Sequence, residues 1–309
     1  MPVPPQLPEP AQLPGPPPGG PDPWPPMLWI GGATGAGKST LARALARAQD
    51  LPLQPVDLWT YDHVRRMPPA APLDDDLARG PEAAADAFEA HGRQRLGLVL
   101  ADVRARGLGM VPAVVEGPQL APALAGPLPR GRGVWLLPDP ERTRLAREQR
   151  LAVQRQHESG RQAAHQPGTG MSRIARLIQR DAVLAARIRR DAARSGLPTI
   201  DVPADPDWAA VAAAIESALG PALREAPRLE PGSALSRQRR LENAAAVRQG
   251  RLWQRAAGLA TLPDYPFACE CGGSGCRATW LGTPDSYQAR TERRPLVTHG
   301  PAAGGRVSG

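Results

Sequence analysis

Short apolar runs alternate with longer segments of helical periodicity along most of the chain. The runs that read as buried strands are residues 27–30, 51–56, 111–117, 133–138 and 199–202. Between them, apolar residues recur at helical spacing, most clearly from 81 to about 106, where Leu96, Val99 and Val103 share one face. Strands that alternate with helices predict an α/β fold with a parallel sheet and helices on both of its faces.

Two further helical segments follow the fourth apolar run. Residues 141–194 read as helical and rich in arginine, with a break near 166–170. The last helix of the alternating pattern is predicted from Trp208 to Leu219, with Asp205 as its N-terminal cap.

Composition divides the chain into four parts. Residues 1–26 are rich in proline and poor in apolar residues, which predicts a disordered, partly polyproline tail. Residues 27–222 hold the alternating pattern and are expected to form the main domain. Residues 223–267 contain a polar helix that we interpret as a linker, and residues 268–309 hold all three cysteines in a small Cys-rich module.

A glycine-rich loop follows the first strand. It consists of Gly32, Ala33, Thr34, Gly35, Ala36, Gly37, Lys38, Ser39 and Thr40, and it contains the Gly-x4-Gly-Lys-Ser spacing of a phosphate-binding loop, the Walker A motif. The glycines let backbone N–H groups point at phosphate oxygens, and the following helix adds its positive end. Lys38 would bridge the terminal phosphates, and the Ser39 hydroxyl would hold Mg²⁺. The motif predicts a P-loop NTPase that binds ATP with Mg²⁺; the alternative is a glycine-rich surface turn.

Lys38 is also the only lysine in the chain, since every other member of the 38 lysines and arginines is an arginine. A compact ammonium on a flexible stem suits a phosphate-binding loop, and a planar guanidinium does not. The position of this single lysine in the loop therefore strengthens the interpretation of the loop as a phosphate site.

The composition limits the classes of partner. The formal charge is +8, but aromatic residues make up only 4 %, and the positive charge is spread through helices. Phosphorylated small molecules explain this charge at least as well as nucleic acid, which we do not expect as a partner. No segment approaches about 18 uninterrupted apolar residues and no signal peptide is recognisable, so no membrane association is expected. Three clustered cysteines suit a reduced, cytoplasmic protein.

The cysteines form a candidate metal centre. Cys269, Cys271 and Cys276 supply three soft ligands, and His299 is a candidate fourth. Zinc favours tetrahedral Cys₃His sites, and a small module with little apolar content needs a structural metal ion of this kind to fold. A redox-active thiol pair and inert free cysteines are the alternatives. Residues 268–300 resemble a short Cys-rich tail found in some bacterial proteins, through which a partner protein could bind.

Residues 27 to about 219 resemble the P-loop kinases of small metabolites, the group that holds nucleoside, nucleotide and 2-phosphoglycerate kinases. The resemblance rests on the glycine-rich loop, on Asp57 after the second strand, on the run 114–120 and on an arginine-rich lid region. The Glu-Gly-x-x-Leu-x-Pro pattern that begins at Glu116 and ends at Pro122 looks most like 2-phosphoglycerate kinase. The resemblance implies an ATP-dependent kinase that phosphorylates a small-molecule hydroxyl, and no further signature names that acceptor.

Such kinases need a carboxylate near the acceptor hydroxyl. Asp57 is the first candidate because it ends a strand, with Asp62 as the second; either could instead cap the following helix. Glu116 would lie beside Ser39 and reach Mg²⁺ through water, or contact the substrate. Its alternative is a strand-end acid on the surface.

The arginine-rich lid and the helix predicted from 81 to about 106 supply candidate anion ligands. Arg147 and Arg150 lie near the start of the lid and could neutralise charge on the transferred phosphoryl group. Most lid arginines are expected to form a solvated helix face. Arg93, on a polar side shared with Arg95, is a candidate for holding an anionic acceptor. His63, His91, His157 and His165 show no ligand spacing and are read as ordinary histidines.

Two further classes of function remain open beside the kinase. One is a nucleotide-binding regulatory protein whose loop acts as a switch and whose zinc-stapled tail recruits partners. The other is a nucleic-acid-binding protein, which rests on the positive charge and the zinc-like tail alone and predicts affinity that falls steeply with salt.

Overall fold

The structure, a computed structural model, describes residues 24–69, 71–107, 109–125, 128–129, 131–157, 172–292 and 294–299. The predicted tail up to residue 23, the predicted break at 166–170 and His165 lie outside these residues. All of the candidate site residues lie within them.

Five strands form one parallel sheet. They are β1 (Met27–Gly32), β2 (Leu53–Pro55), β3 (Ala113–Glu116), β4 (Gly133–Pro138) and β5 (Thr199–Val202). Their order is β2-β3-β1-β4-β5, so β1 is central and the chain builds first one side of the sheet and then the other. The loop after β1 therefore lies where the strand order reverses, the usual ligand position in such sheets. The predicted α/β class with a parallel sheet is confirmed.

Helices connect the strands and lie on both faces. They are α1 (Lys38–Ala48), α2 (Thr60–Arg66), α3 (Leu73–Ala78), α4 (Pro81–Ala105), α5 (Pro140–His157), α6 (Arg173–Ser195), α7 (Trp208–Glu225), α8 (Ser233–Ala257) and α9 (Pro284–Thr291). Short 3₁₀ helices, Val56–Trp59 and Pro122–Leu124, follow β2 and β3. Two more strands, β6 (Tyr265–Ala268) and β7 (Thr279–Gly282), pair antiparallel. Among the described helices, none combines the length and the apolar character needed to cross a membrane.

The central strand supplies side chains to a core on each face of the sheet. Trp29 belongs to a cluster with Leu96 of α4 and Ile188 of α6. Leu28 belongs to the opposite cluster, with Ile215 of α7. Because successive strand residues point to opposite faces, a strand buried on both sides reads as a continuous apolar run.

The helix expected to be a linker, α8, packs against the edge strand β2. Its Glu242 accepts a hydrogen bond from the Leu53 N–H at 2.8 Å, and its Arg239 donates to the carbonyl oxygens of Leu51 and Ala46 at 3.0 and 3.1 Å. Arg239 and Glu242 are buried and pair with each other at 3.0 Å. An edge strand otherwise presents unpaired backbone groups, so α8 completes this edge.

These contacts cross the predicted domain boundaries. They show that residues 223–267 contact the sheet. The division into 27–222, 223–267 and 268–309 stays a prediction.

The core begins earlier than the tail prediction allows. Trp24 is 6 % exposed and packs on Trp29 with ring centroids 5.7 Å apart. The folded part therefore begins by Trp24. This one aromatic ring buries apolar surface even though the residues around it are mostly prolines.

The start and end of α7 also differ from the sequence expectation. Its N-terminal cap is Asp207, whose carboxylate accepts the N–H groups of Ala209 and Ala210, rather than Asp205. The helix continues through Pro221 to Glu225 instead of ending at Leu219. Leu223 lies in the core beyond the proline, and its burial offsets the hydrogen bond that proline cannot donate.

Replacement of Glu242 tests whether α8 is part of the folding unit. Glu242→Ala leaves the buried Arg239 guanidinium without its counter-charge and the Leu53 N–H without its acceptor, so the free energy of unfolding should fall by about 3–5 kcal/mol. Urea unfolding should show this loss for the whole chain in one transition. Glu216→Ala, at an exposed position on α7, should change it by about 0.5 kcal/mol or less. An equal, small effect of both substitutions would contradict the role of α8.

Candidate functional site

The glycine-rich loop, residues 32–40, closes over the end of β1. Gly32 has a φ of +121°, and a Cβ there would lie 2.1 Å from the Leu136 carbonyl oxygen on β4. That same carbonyl accepts the Ala33 N–H at 3.0 Å. Within the described part of the chain, the backbone N–H groups of residues 35–39 donate to no protein acceptor. Unpartnered donors at the N-terminus of α1 suit a bound anion.

Lys38, the first residue of α1, folds its side chain back onto this loop. Its ammonium donates to the Ala33 carbonyl oxygen at 2.7 Å, and the residue is 7 % exposed. Burial lowers the pKa of Lys38 to about 8, against the attraction of Glu116 and Asp57. The loop therefore contains a desolvated cation with two carboxylates nearby.

Glu116 ends β3, between the ends of β1 and β2. It lies opposite Ile30 and Pro55 in the two ladders and is 2 % exposed. Burial raises the pKa of Glu116 to about 7, and Asp57 adds to the rise, whereas Lys38 and a hydrogen bond from Ser39 oppose it. The surface alternative for Glu116 is excluded by its burial.

Asp57 lies in the 3₁₀ helix after β2 and is exposed. The side-chain amide of Gln119 donates to its carboxylate at 3.4 Å. Its charge acts on the pKa values of both Lys38 and Glu116. The ends of three neighbouring parallel strands thus bring one ammonium and two carboxylates together.

A buried arginine of α4 supports the turn that carries Asp57. Arg95 is 2 % exposed and donates to the Val56 carbonyl oxygen at 2.8 Å. Its Nε also donates to Nδ1 of His63, whose Nε2 lies 2.8 Å from the Asp102 carboxylate. Since Nδ1 accepts, Nε2 carries the ring proton and donates to Asp102. This chain of hydrogen bonds fixes the backbone one residue before Asp57.

The first turns of α5 lie against the other side of the loop. The Thr143 hydroxyl donates to the Thr34 carbonyl oxygen at 3.2 Å, and Arg147 donates to the Thr34 hydroxyl at 3.2 Å. Arg147 also donates to Asp181 at 2.7 Å, and this buried carboxylate accepts from Arg180 as well. Burial lowers the pKa of Arg147, and Asp181 opposes the shift. Arg147 is therefore a positioned charge at the loop.

An aromatic ring from α7 contacts the end of the loop. Gly37 has a φ of +77°, and a Cβ there would lie 2.5 Å from the Trp208 ring. The Arg142 guanidinium lies 4.6 Å from the ring centroid, and Trp208 remains 38 % exposed. A flat, partly exposed surface and a cation thus adjoin the glycine-rich loop.

The remaining candidates fall in different places. Arg150 is exposed on α5, and its charge lowers the pKa of Lys38, so it lies near the cluster. Asp62 forms an ion pair with Arg248 of α8, and Arg93 is exposed on α4. The charge of Asp57 therefore acts on the Lys38 ammonium, whereas the carboxylate of Asp62 pairs with α8.

The three cysteines and His299 converge near the C-terminus. Their three sulfur atoms and one imidazole nitrogen all lie within 4.8 Å of one another. His299 Nε2 lies 3.2 Å from the Cys271 sulfur and 3.4 Å from the Cys276 sulfur. Tetrahedral zinc with its usual bond lengths separates such ligands by about 3.5–3.8 Å. The cluster could therefore bind a metal ion such as zinc.

A buried carboxylate between two of the cysteines connects this cluster to α8. Glu270 is 1 % exposed and accepts hydrogen bonds from the Asn243 amide at 2.8 Å, from the Leu296 N–H at 3.0 Å and from the Tyr287 hydroxyl. Asn243 also exchanges two hydrogen bonds with the Ala268 backbone.

A second connection runs to the turn after α1. Asp50, with a φ of +49°, accepts the Gly275 N–H at 2.8 Å and the Ser274 hydroxyl. The Gly232 N–H donates to the Gly272 carbonyl oxygen at 2.8 Å. The cysteine loop is thus held by the sheet domain as well as by α8.

Two residues that support the site were not predicted from the sequence. Arg95 is buried rather than on the polar side of α4, although it stands one turn before Val99 on the apolar face. The periodicity contained this signal, and the charge of the side chain concealed it. Trp208 had no such signal, because only the fold brings it to Gly37.

No protein-family model matches the chain, and no curated protein matches it either. The contacts of the described residues therefore carry the functional interpretation.

Packing of the loop against Trp208 can be tested at Gly37. Gly37→Ala should lower the free energy of unfolding by about 2–5 kcal/mol, because it adds a left-handed backbone cost to a steric clash. Trp208→Ala in the same chain should recover the steric part, which appears as a coupling energy of about 1–3 kcal/mol in urea unfolding of the four chains.

Gly196→Ala is the matched control. Gly196 has a φ of +62°, and a Cβ there would meet no described residue beyond its immediate surroundings in the chain within 4 Å, so the substitution isolates the backbone cost. Additive effects of Gly37→Ala and Trp208→Ala would show that the two residues do not touch.

Proposed function

We propose that the chain is an ATP-dependent kinase that transfers the γ-phosphoryl group of ATP to a hydroxyl of a small molecule. The observation that carries the proposal is the cluster of Lys38, Glu116 and Asp57 beside the glycine-rich loop. An anion cradle, a cation and two carboxylates are the groups that phosphoryl transfer uses for positioning and for charge.

The triphosphate would bind at the loop. The unpartnered N–H groups of residues 35–39 offer hydrogen bonds to phosphate oxygens, and the Lys38 ammonium adds a charge. Burial disfavours the charged form of Lys38. A bound anion would favour that charged form and would therefore raise the pKa of the ammonium, and the ammonium would stabilise the anion.

Ser39 and Glu116 are the residues that would hold Mg²⁺, directly or through water. A hydroxyl and a carboxylate are the oxygen ligands that Mg²⁺ prefers, and a carboxylate that is 2 % exposed favours a cation beside it. When bound, Mg²⁺ neutralises charge on the β- and γ-phosphate oxygens.

Trp208 and Arg142 would contact the base of the nucleotide. The ring lies against Gly37 and the residue is 38 % exposed, and the Arg142 guanidinium stands 4.6 Å from the ring centroid. Stacking on such a surface favours a flat heterocycle without selecting strongly among bases.

Asp57 would orient the acceptor hydroxyl and accept its proton. Its carboxylate is exposed, so an acceptor can reach it, while Arg95 fixes the preceding residue through the Val56 carbonyl oxygen. Gln119 restricts the carboxylate from the other side. A fixed base within hydrogen-bond reach of the acceptor is the geometric requirement for general-base catalysis.

Arg147 and Arg150 would stabilise charge on the transferred phosphoryl group. Asp181 holds Arg147 at the loop, so its guanidinium needs no reorganisation during transfer. Arg150 is exposed and free of a described ion pair, and it is close enough to Lys38 to affect its pKa.

A nucleotide-binding regulatory protein is the second candidate. Asp50 follows α1, the helix that begins with Lys38, and it binds the backbone between Cys271 and Cys276. A change in the cysteine loop could therefore reach the glycine-rich loop along α1. This candidate requires nucleotide binding without phosphoryl transfer.

The proposal for the cysteine cluster is one structural zinc ion held by Cys269, Cys271, Cys276 and His299. The donor set and the 4.8 Å limit on its separations fit a closed tetrahedral site. All four positions are protein ligands, so no position remains open for substrate. Zinc would stabilise this loop, which Asp50 binds and which Glu270 connects to α8.

The nucleotide proposal is tested at Lys38. Lys38→Ala should abolish binding of Mg-ATP in calorimetry while the circular dichroism spectrum stays unchanged, because the substitution removes the only cation inside the loop. Binding by the variant with unchanged affinity would contradict the proposal.

Asp57→Asn is the matched variant that separates the two candidates. It should bind Mg-ATP as the parent does but lower the transfer rate by about 10²–10⁴, the scale of a lost general base. Transfer is measured as a mass gain of one phosphoryl group in a pool of metabolites. A parent chain that binds ATP and phosphorylates nothing in such pools would favour the regulatory protein.

The zinc proposal predicts one zinc ion per reduced full-length chain in elemental analysis. Cys269→Ser and Cys276→Ser should lose the metal and His299→Ala should weaken it, because each removes one of four ligands. His157→Ala, a histidine outside the cluster, should keep it. A carefully reduced chain without metal would show that the cysteines are not a zinc site.

A further inference from the structure

A groove lies between α2, α8 and α9. Its volume is about 580 Å³, within the range of small-molecule sites. Among the described residues that line it, none belongs to the glycine-rich loop or to the cysteine cluster. The groove is therefore separate from both candidate sites.

Arginines dominate its lining. Arg248, Arg251 and Arg255 follow one another along one face of α8, and Arg65 joins them from α2. All four are exposed, and Asp62 is the one carboxylate among the described lining residues. Positions three and four residues apart share a helix face, so the guanidinium groups of α8 act on the same space.

The protein neutralises only part of this charge. Arg248 pairs with Asp62 across the groove, and Arg251 pairs with Asp285 of α9 at 2.9 Å. Arg65 and Arg255 form no ion pair with any residue in the described ranges. An excess of positive charge therefore faces the groove.

Apolar side chains line the same groove. Val247, Leu252 and Tyr287 are buried, with 6–8 % of each exposed, and they supply carbon surface next to the guanidinium groups. Guanidinium groups bind phosphate oxygens through paired hydrogen bonds, and the apolar surface suits the organic part of a ligand.

We propose that this groove binds an organic phosphate with at least two negative charges. Its phosphate oxygens contact Arg65 and Arg255 and compete with Asp62 for Arg248, while its organic part lies over Leu252 and Tyr287. The volume fits a ligand of roughly nucleotide size and is too small for a folded partner. The inference is independent of the proposed kinase activity.

Pyrophosphate is the probe, titrated by calorimetry into the full-length Lys38→Ala chain so that the glycine-rich loop contributes least. This chain should bind pyrophosphate, and the added pair Arg65→Gln and Arg255→Gln should weaken binding at least about tenfold. The pair breaks no described ion pair, so its thermal unfolding should match the parent.

Arg237→Gln is the matched control, since Arg237 is exposed on α8 outside the groove. It should leave the affinity unchanged. Absence of pyrophosphate binding to the Lys38→Ala chain, or equal affinity in the paired variant, would overturn the inference. Tighter binding of citrate or of polyglutamate than of pyrophosphate would also overturn it, because it would assign the groove to carboxylates or to an acidic protein.

Discussion

The Lys38 ammonium is buried, and it needs opposite charges close to it; the parallel sheet places two carboxylates there. Removing a charge from water costs several kcal/mol, so Lys38 can be 7 % exposed only where opposite charges lie close by. Glu116 and Asp57 supply them because β3 lies between β1 and β2 with all three strands parallel. Parallel strands end at one edge, and the residues that follow them meet there whatever their separation in sequence.

Arginine provides much of the internal support around this cluster. Its guanidinium has five donors in a fixed fork, which lets one side chain bond several acceptors. Arg95 reaches a carbonyl oxygen and an imidazole, Arg147 a hydroxyl and a carboxylate, and Arg239 two carbonyl oxygens and a carboxylate. A chain with one lysine thus uses arginine for structure as well as for surface charge.

The C-terminal segment is coupled to the candidate site by hydrogen bonds rather than by proximity alone. Glu270 connects the cysteine loop to α8, and Glu242 connects α8 to β2, whose end carries Asp57. Asp50 makes a separate connection to α1. Ordering of the cysteine loop and ordering of two elements of the site therefore stabilise each other.

Local pattern determined the type of most elements and the position of the glycine-rich loop. Periodicity and turn chemistry act within a few residues, so the five strands and the helix after the loop could be predicted without knowledge of the fold. The spacing of Arg95 placed it on the apolar face of α4, but only the tertiary structure supplies the acceptors at Val56 and His63 that allow its charged group to be buried. Contacts such as Gly37 with Trp208 and Leu53 with Glu242 join residues far apart in the chain. Only tertiary packing decides them, because no local interaction constrains which distant surfaces meet.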